Sequence, residues 1–467
     1  MEIYNSIVSH SSNRVHYYRC LLIASVLLLL FLPYEEATAQ PVLTGDADLI
    51  IGVTTTGKHE IVPGVQRLTL NLDHRFDGGR LLVRTDVRNR FEASADSLEW
   101  SLPEFWLEFY FSHGDLRVGK QIIQPGFSAF QSPLNRIQPL DIRNFLLEPE
   151  PVLRRGTVAV SYSWFPGNSR FEAILSPVHT PSLMPSPQSR WFIPVPVPPG
   201  IPLKIVANDH DDSPAIKPQA ALLWNSGRLG DLELHAGILY WIPSQPAYFK
   251  QVSILSPDSF PPSSEVLLSE TFTPTLIFNG AVSWQVTNRV SATVEMAWFQ
   301  ARAFDRIPEV LREFSWDAPD PLLFPVLLQI ISTEEKGFLS RHNTAETVLD
   351  FTYSGTDMTY GVQWGTRIIR DPHPDVIQDR IFHTLIASAR RGLLRQRLIS
   401  EVSMVYHPSG NDFWIRSEHS YDLMDNVAVS AGAHFFGGPV PETNYGDLSF
   451  GSYRGNSLLY AGVRYYF

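Results

Sequence analysis

From residue 43 onward, apolar and polar positions alternate with a period of two. Leu68, Leu70 and Leu72 interleave with Arg67, Thr69, Asn71 and Asp73. Leu81, Val83, Thr85 and Val87 interleave with Arg84, Asp86, Arg88 and Arg90, and Phe105, Leu107, Phe109 and Phe111 with Glu104, Trp106, Glu108 and Tyr110. The same beat returns over residues 158–164, 232–240, 290–298 and 427–435. Successive side chains of an extended chain point to opposite faces, so each segment predicts a strand with one face unlike the other. About 18 strands are predicted, near 45–55, 64–76, 79–91, 99–111, 115–123, 157–165, 168–177, 216–225, 230–242, 272–285, 288–302, 345–354, 357–370, 380–392, 397–407, 411–421, 426–437 and 457–467.

The connections between these strands sort by length. Every second one is a short turn, such as Asp77-Gly78, Pro166-Gly167 or Ser354-Gly355. Most of the others are long, and four of them (124–156, 178–215, 243–271 and 303–344) are rich in Pro. A β-sandwich has no reason to sort its loops this way. A membrane barrel does, because one set of connections is short and periplasmic and the other long and extracellular. The expected fold is therefore an all-β, transmembrane antiparallel β-barrel of about 16–18 strands, with its apolar set facing lipid and its polar set facing the interior. Trp164, Trp241, Trp298, Tyr240, Tyr406 and Phe435 are expected near strand ends, as an interfacial girdle. Lys120 falls on the lipid side of the alternation, where a bulge would restore the phase. The phase over residues 381–389 is ambiguous.

Composition narrows the alternatives. The 467 residues include 28 Phe, 17 Tyr and 11 Trp, too much apolar surface for a disordered chain, and a single Cys excludes a disulfide scaffold. The net charge of −11 argues against a nucleic-acid partner. Outside the first 40 residues no apolar run approaches the ~20 residues of a spanning helix. Within them, Arg14 and Arg19 precede an apolar stretch over 21–32 and then Ala37-Thr38-Ala39. That is the order of a secretory signal peptide, residues 1–39, with the barrel over 40–467. Cleavage there removes two bases and three acids, taking the net charge from −11 to −10, and it removes Cys20.

The segment Leu459-Tyr460-Ala461-Gly462-Val463-Arg464-Tyr465-Tyr466-Phe467 resembles the closing strand of outer-membrane proteins of Gram-negative bacteria. That likeness implies Tyr465 and Phe467 as a signal read by the barrel-assembly machinery, with outer-membrane lipid as the surrounding partner. Arg117-Val118-Gly119-Lys120-Gln121, Pro139-Leu140-Asp141-Ile142-Arg143, Ser189-Arg190-Trp191, Asn426-Val427-Ala428-Val429 and Gly437-Gly438-Pro439 resemble blocks of a poorly characterised porin-like family, distantly similar to alginate-export porins. The resemblance implies an outer-membrane channel and no catalytic residue. Alginate exporters line their lumen heavily with Arg and Lys, whereas this chain mixes signs, which speaks against a polyanion.

Taken literally, the alternation places Arg67, Asp73, Arg75, Arg84, Asp86, Arg88, Arg90, Glu104, Glu108 and Arg117 inside the barrel. Glu295, Arg367, Glu401, Arg416, Glu418 and Arg464 continue the polar lining. Buried charges persist when paired or solvated, so facing columns of Arg and acid suit a water-filled lumen. Barrels of 16–18 strands leave such a channel. The expected function is a porin-like channel for small polar or ionic solutes. The alternative is a non-conducting barrel acting as receptor, adhesin or scaffold through its loops. The loop carrying Pro139, Asp141 and Arg143 is a candidate constriction, with a lid outside the barrel as the other arrangement. Residues 194–199 are expected to be stiff and extended, and 307–314 to form a short helix.

Enzymatic motifs are sparse. There is no H-E-x-x-H and no Walker-type loop. Asn208-Asp209-His210-Asp211-Asp212-Ser213 is rich in oxygen ligands but lacks the Gly and closing Glu of an EF-hand. His407 near Ser409 and His419 with Ser417 are the only neighbours suggestive of hydrolysis. No enzyme, metal site or cofactor is expected. Alternation begins too soon after the leader for an N-terminal plug.

Overall fold

A computed structural model of the chain describes residues 41–56, 59–89, 98–128, 130–144, 150–185, 189–192, 203–205, 216–256, 263–307, 339–440 and 447–467. The leader, Arg90, and residues 194–199, 208–213 and 308–314 fall outside these.

Among the described residues there are twenty-one strands. They are β1 (Val42–Thr54), β2 (Ile61–Phe76), β3 (Gly79–Asn89), β4 (Leu98–Phe111), β5 (Gly114–Gln121), β6 (Thr157–Trp164) and β7 (Arg170–Val178). Then follow β8 (Leu203–Ile205), β9 (Ile216–Leu229), β10 (Leu232–Trp241), β11 (Ala247–Ser256), β12 (Ser263–Thr271), β13 (Thr275–Thr287) and β14 (Val290–Asp305). The series ends with β15 (Leu339–Ser354), β16 (Met358–Ile369), β17 (Ile381–Leu393), β18 (Leu398–His407), β19 (Asp412–Met424), β20 (Val427–Gly437) and β21 (Leu458–Tyr466).

All but β8, β11 and β12 form one 18-stranded antiparallel sheet in chain order. It closes on itself where β1 pairs with β21, from Asp46 opposite Tyr466 to Thr54 opposite Leu458. Closure leaves no sheet edge, which is how strands satisfy every backbone group within a bilayer. Gly45 and Phe467 complete the seam by exchanging both backbone hydrogen bonds, at 2.9 and 3.0 Å. A side chain at Gly45 would collide with the Phe467 ring.

The outer face follows the alternation. Leu49, Ile51, Val53, Val160, Tyr162, Ile238, Val294, Val362, Leu459 and Val463 are exposed, while their sequence neighbours Asp48, Ser161, Glu295, Gln363 and Leu458 are buried inside. A closed barrel wearing an apolar belt is the architecture of the outer membrane. Trp164, Tyr240 and Phe435 stand on this surface. Trp241 does not: it is 2% exposed and points inward, one residue out of phase with the girdle expected for it.

Two further expectations are corrected. No bulge rescues Lys120, since β4, β5 and β6 run in unbroken register with Lys120 between Phe105 and Val158. It stays on the outer face but sits one residue from the end of β5, beside the long-loop rim, where a lysine is far cheaper than at mid-bilayer. The long connection 243–271 is not irregular either. It carries the antiparallel pair β11–β12, to which β8 adds in parallel. The phase over 381–389 resolves with Ile386 inside against Val405, and with Leu385 exposed outside.

Candidate functional site

Most of the polar residues expected inside the barrel form columns of ion pairs on β1–β5. Arg67 bonds Asp48 and reaches Asp46 at 3.2 Å, and Asp48 also receives Arg464 across the seam. Arg88 contacts Asp86 at 3.3 Å, and Arg84 lies 3.7 Å from the same carboxylate. Asp73 is held bidentately by Arg80, at 2.7 and 2.9 Å. Arg117 places two nitrogens on one Glu108 oxygen, at 2.6 and 3.0 Å, with its guanidinium 4.4 Å from the Trp106 ring centre. Glu104 accepts the Trp106 indole N–H at 3.3 Å. Arg75 is exposed near the short-turn end, opposite Arg80 in the register.

The connection between β5 and β6 turns inward. Its described residues touch inward-facing groups on opposite walls. On one side Asp141 accepts from Arg88 of β3 at 3.2 Å, and Arg143 bridges Asp141 and Glu99 of β4 at 2.7 and 2.9 Å. On the other, the Phe127 and Ser128 N–H groups donate to Glu295 of β14 at 2.5 and 2.7 Å. Gln131 and Gln363 of β16 exchange two hydrogen bonds at 3.0 Å. Arg136 reaches Glu346 of β15 at 2.9 Å, and Glu346 is also bonded by Arg302 of β14 at 2.6 Å. β3 and β16 are the third and thirteenth strands of an 18-strand ring, so the segment crosses the lumen. Pro139 lies within it, its carbonyl accepting from Arg155 N–H at 2.9 Å.

Local sequence explains the path. Ser132 caps a 3-10 turn, Pro133–Ile137, by accepting from Leu134 N–H, and Pro133 starts the turn where a missing N–H costs nothing. The turn presents Ile137 to the wall. There Ile137 and Ile123 join Ala159, Ile174, Ala221, Leu223, Leu239, Trp241, Ile277, Ala297 and Phe299 in a buried cluster inside the barrel. This corrects the expectation of a polar lining around much of the circumference: from β6 to β14 many inward positions are apolar because the crossing segment, not water, covers them. A second internal cluster gathers Phe436, Leu458 and Tyr460 with Trp191, Phe450 and Tyr453 of the long connections. A cavity of about 420 Å³ remains beside the segment, lined by Arg117, Gln121, Phe127, Arg170, Glu172 and His235 among others.

The hydrolase-like neighbours do not assemble. His407 pairs with Asp412 at 2.9 Å and stacks on Phe450, while His419 bonds Ser400 at 3.0 Å. Tyr465 and Phe467 face outward with their rings 6.1 Å apart. Among the described residues no group of three or more His, Cys, Asp or Glu could hold a metal.

Solved outer-membrane proteins align with most of the chain. OccAB2 of Acinetobacter baumannii aligns over 92% of this chain and 98% of its own, with a TM-score of 0.49 and 7% identity. The outer membrane channel DcaP of the same organism aligns over 93% and 99%, with a TM-score of 0.42 and 7% identity. OmpT of Vibrio cholerae aligns over 92% and 100%, with a TM-score of 0.37 and 11% identity. No family model matches the chain, and no curated protein sequence does.

Proposed function

We propose that the protein is a porin-like channel of the outer membrane of a diderm bacterium, passing small polar or ionic solutes through a lumen narrowed by the β5–β6 segment. The observation that carries this reading is the crossing itself: a segment tied to β3–β4 on one side and β14–β16 on the other divides an 18-strand interior. It packs its apolar residues against one wall and leaves the Arg and acid columns of β1–β5 on the other. Charged side chains held in pairs at a narrow passage set a local field that sorts solutes by charge and size. Arg84, Arg88, Asp141 and Arg143 are the groups assigned to that constriction, with Arg67, Asp73, Glu104, Glu108 and Arg117 lining the passage toward it.

The mixed signs fit small solutes better than a polyanion of the alginate type. Residues 1–39 act as the export signal. The outward Tyr465–Phe467 pair is the surface offered to the assembly machinery. The experiment is planar-bilayer conductance of refolded residues 40–467. Discrete, reproducible steps with a measurable cation/anion permeability ratio are expected. A correctly folded barrel that stays silent would overturn the channel reading in favour of a receptor or scaffold acting through its external loops.

A further inference from the structure

The polar tethers of the β5–β6 segment described above end at β16. Beyond it, the inner wall from β17 through the seam to β2 has a different cover. Ile386, Val405, Phe436, Leu458 and Val62 of the wall are buried together with Trp191 of the β7–β9 connection and with Phe450 and Tyr453 of the β20–β21 connection. Phe130 of the β5–β6 segment packs against the same cluster, so the two covers meet inside the barrel.

Local sequence turns the β20–β21 connection inward. Gly438, just past β20, adopts a φ of +120°, which strains any residue with a side chain, and a Cβ there would lie 2.5 Å from Asp412. Further on, Ser449 caps the 3-10 turn Phe450–Asn456 by accepting from Gly451 N–H at 3.2 Å. The turn lays Phe450 over the inner face of β18, stacked on His407 at 4.6 Å. Trp191 is fastened to the same turn: Tyr453 Oη donates to the Phe192 carbonyl at 3.2 Å, and Asn456 Nδ2 to the Arg190 carbonyl at 2.5 Å.

The two ends of this stretch are held differently. The far end is built into the wall: Thr56 Oγ1 donates to the Gly455 carbonyl at 2.9 Å, Thr55 N–H to the Ser457 carbonyl at 2.8 Å, and Phe436 N–H to Ser457 Oγ at 3.0 Å. At the near end, among the described residues, the polar ties to the wall run through Asp447. Its carboxylate accepts both terminal nitrogens of Arg367 on β16, at 2.6 and 2.7 Å, and the Asp379 N–H at 3.1 Å. Asp447 and Leu448 also face a cavity of about 200 Å³, whose lining includes Arg136 of the β5–β6 segment and Arg302 of β14. The clasped end therefore has room to move without first displacing close-packed neighbours on that side.

We propose that residues 447–456 are a gating flap, closed over the inner wall of β17–β21 in this structure and released when the Asp447–Arg367 pair breaks. The fixed end is the hinge, the ion pair is the clasp, and the apolar cluster is the seat. The gating consequence rests on the channel reading, since release widens the lumen on the side that the β5–β6 tethers leave uncovered. The motion itself requires no conduction.

Residues 40–467 contain no Cys, so Val405→Cys, inward on β18 and 8% exposed, gives the purified barrel a single thiol beneath the flap. A charged, water-soluble methanethiosulfonate should modify it slowly in the otherwise native barrel. Adding Asp447→Asn should speed the reaction by about tenfold or more, the factor that one lost charge-assisted contact implies. In planar bilayers the Asp447→Asn barrel should spend more time at its highest conductance level, with the amplitude of that level unchanged. Arg367→Gln cuts the same pair from the wall side, should act alike, and serves if Asp447→Asn does not fold. The flap is overturned if Val405→Cys reacts at a free-thiol rate in the native background, or if its rate is unchanged in the folded clasp variant. Unchanged dwell times in a conducting clasp variant overturn its role as a gate. Faster labelling in barrels that never conduct upholds the flap and overturns the channel reading instead.

Discussion

Cutting two of the three far-wall tethers of the crossing segment should loosen its docking around Gln131 and Arg136. In Glu346→Ala/Gln363→Ala the near-wall links through Asp141 and Arg143 remain, as do the Glu295 bonds to the Phe127 and Ser128 N–H groups. Gln363 exchanges two hydrogen bonds with Gln131, each worth about 0.5–1.5 kcal/mol net, and it is almost fully buried. Glu346 contributes a charge-assisted bond to Arg136. Such bonds are worth about 1.5–3 kcal/mol, taken at the low end because the Arg136 side chain is 41% exposed. Together the pair should lose about 3–5 kcal/mol of docking free energy, roughly two to four powers of ten in the docked-to-undocked ratio at about 1.4 kcal/mol per tenfold. Single-channel recording reads this directly. Each single variant should keep wild-type conductance, because the remaining tethers hold the segment. The double variant should show larger conductance or frequent transitions to a larger step. A double variant that folds, by heat-modifiable mobility, and conducts with unchanged amplitude and noise would refute the assignment of this segment as the constriction.

Other consequences are open to measurement. Arg84→Ala/Arg88→Ala removes both cations beside Asp86 and should shift the permeability ratio toward cations, read as reversal potential in a salt gradient. Gly45→Val places a side chain where the Phe467 ring and the Thr69 carbonyl stand, and should sharply lower the folded fraction recovered from the outer membrane or from refolding. His179, in the connection after β7, is half-buried against Phe272 with Lys217 nearby, and desolvation pulls its pKa from 6.5 to about 4. The unfolded chain then binds more protons between pH 6.5 and 4, so the stabilisation is full above about 6.5 and falls as pH drops through that window. Protease resistance of this connection should decline from pH 7 to pH 4, and His179→Phe should flatten the profile.

Strands were the most legible feature of the sequence, because a wall between lipid and an interior imposes the period-two pattern on most of them. Eighteen barrel strands and their sorted connections follow from it. The lining was less legible. On β9 the sequence Ala220-Ala221-Leu222-Leu223 is apolar on both faces, and Ile277 and Phe278 on β13 are likewise. A strand apolar on both faces is buried on both, so these runs carried the signal that something other than water covers the inner wall there. Trp241 carried it too, but an aromatic at a strand end reads equally as girdle. The pair β11–β12 was hidden for another reason: it belongs to a separate three-stranded sheet outside the barrel wall, so the two-faced pattern that marks the barrel strands is not imposed on it.

The seam between β1 and β21 has a consequence for synthesis. The residues that close the ring are some four hundred positions apart, Asp46 opposite Tyr466. Any nascent or truncated product lacking β21 therefore presents two raw strand edges at once. Such edges recruit other strands indiscriminately. The ring thus works as a completeness check: only a product carrying both halves of the seam can hide its edges, and anything shorter keeps two edges open to other strands.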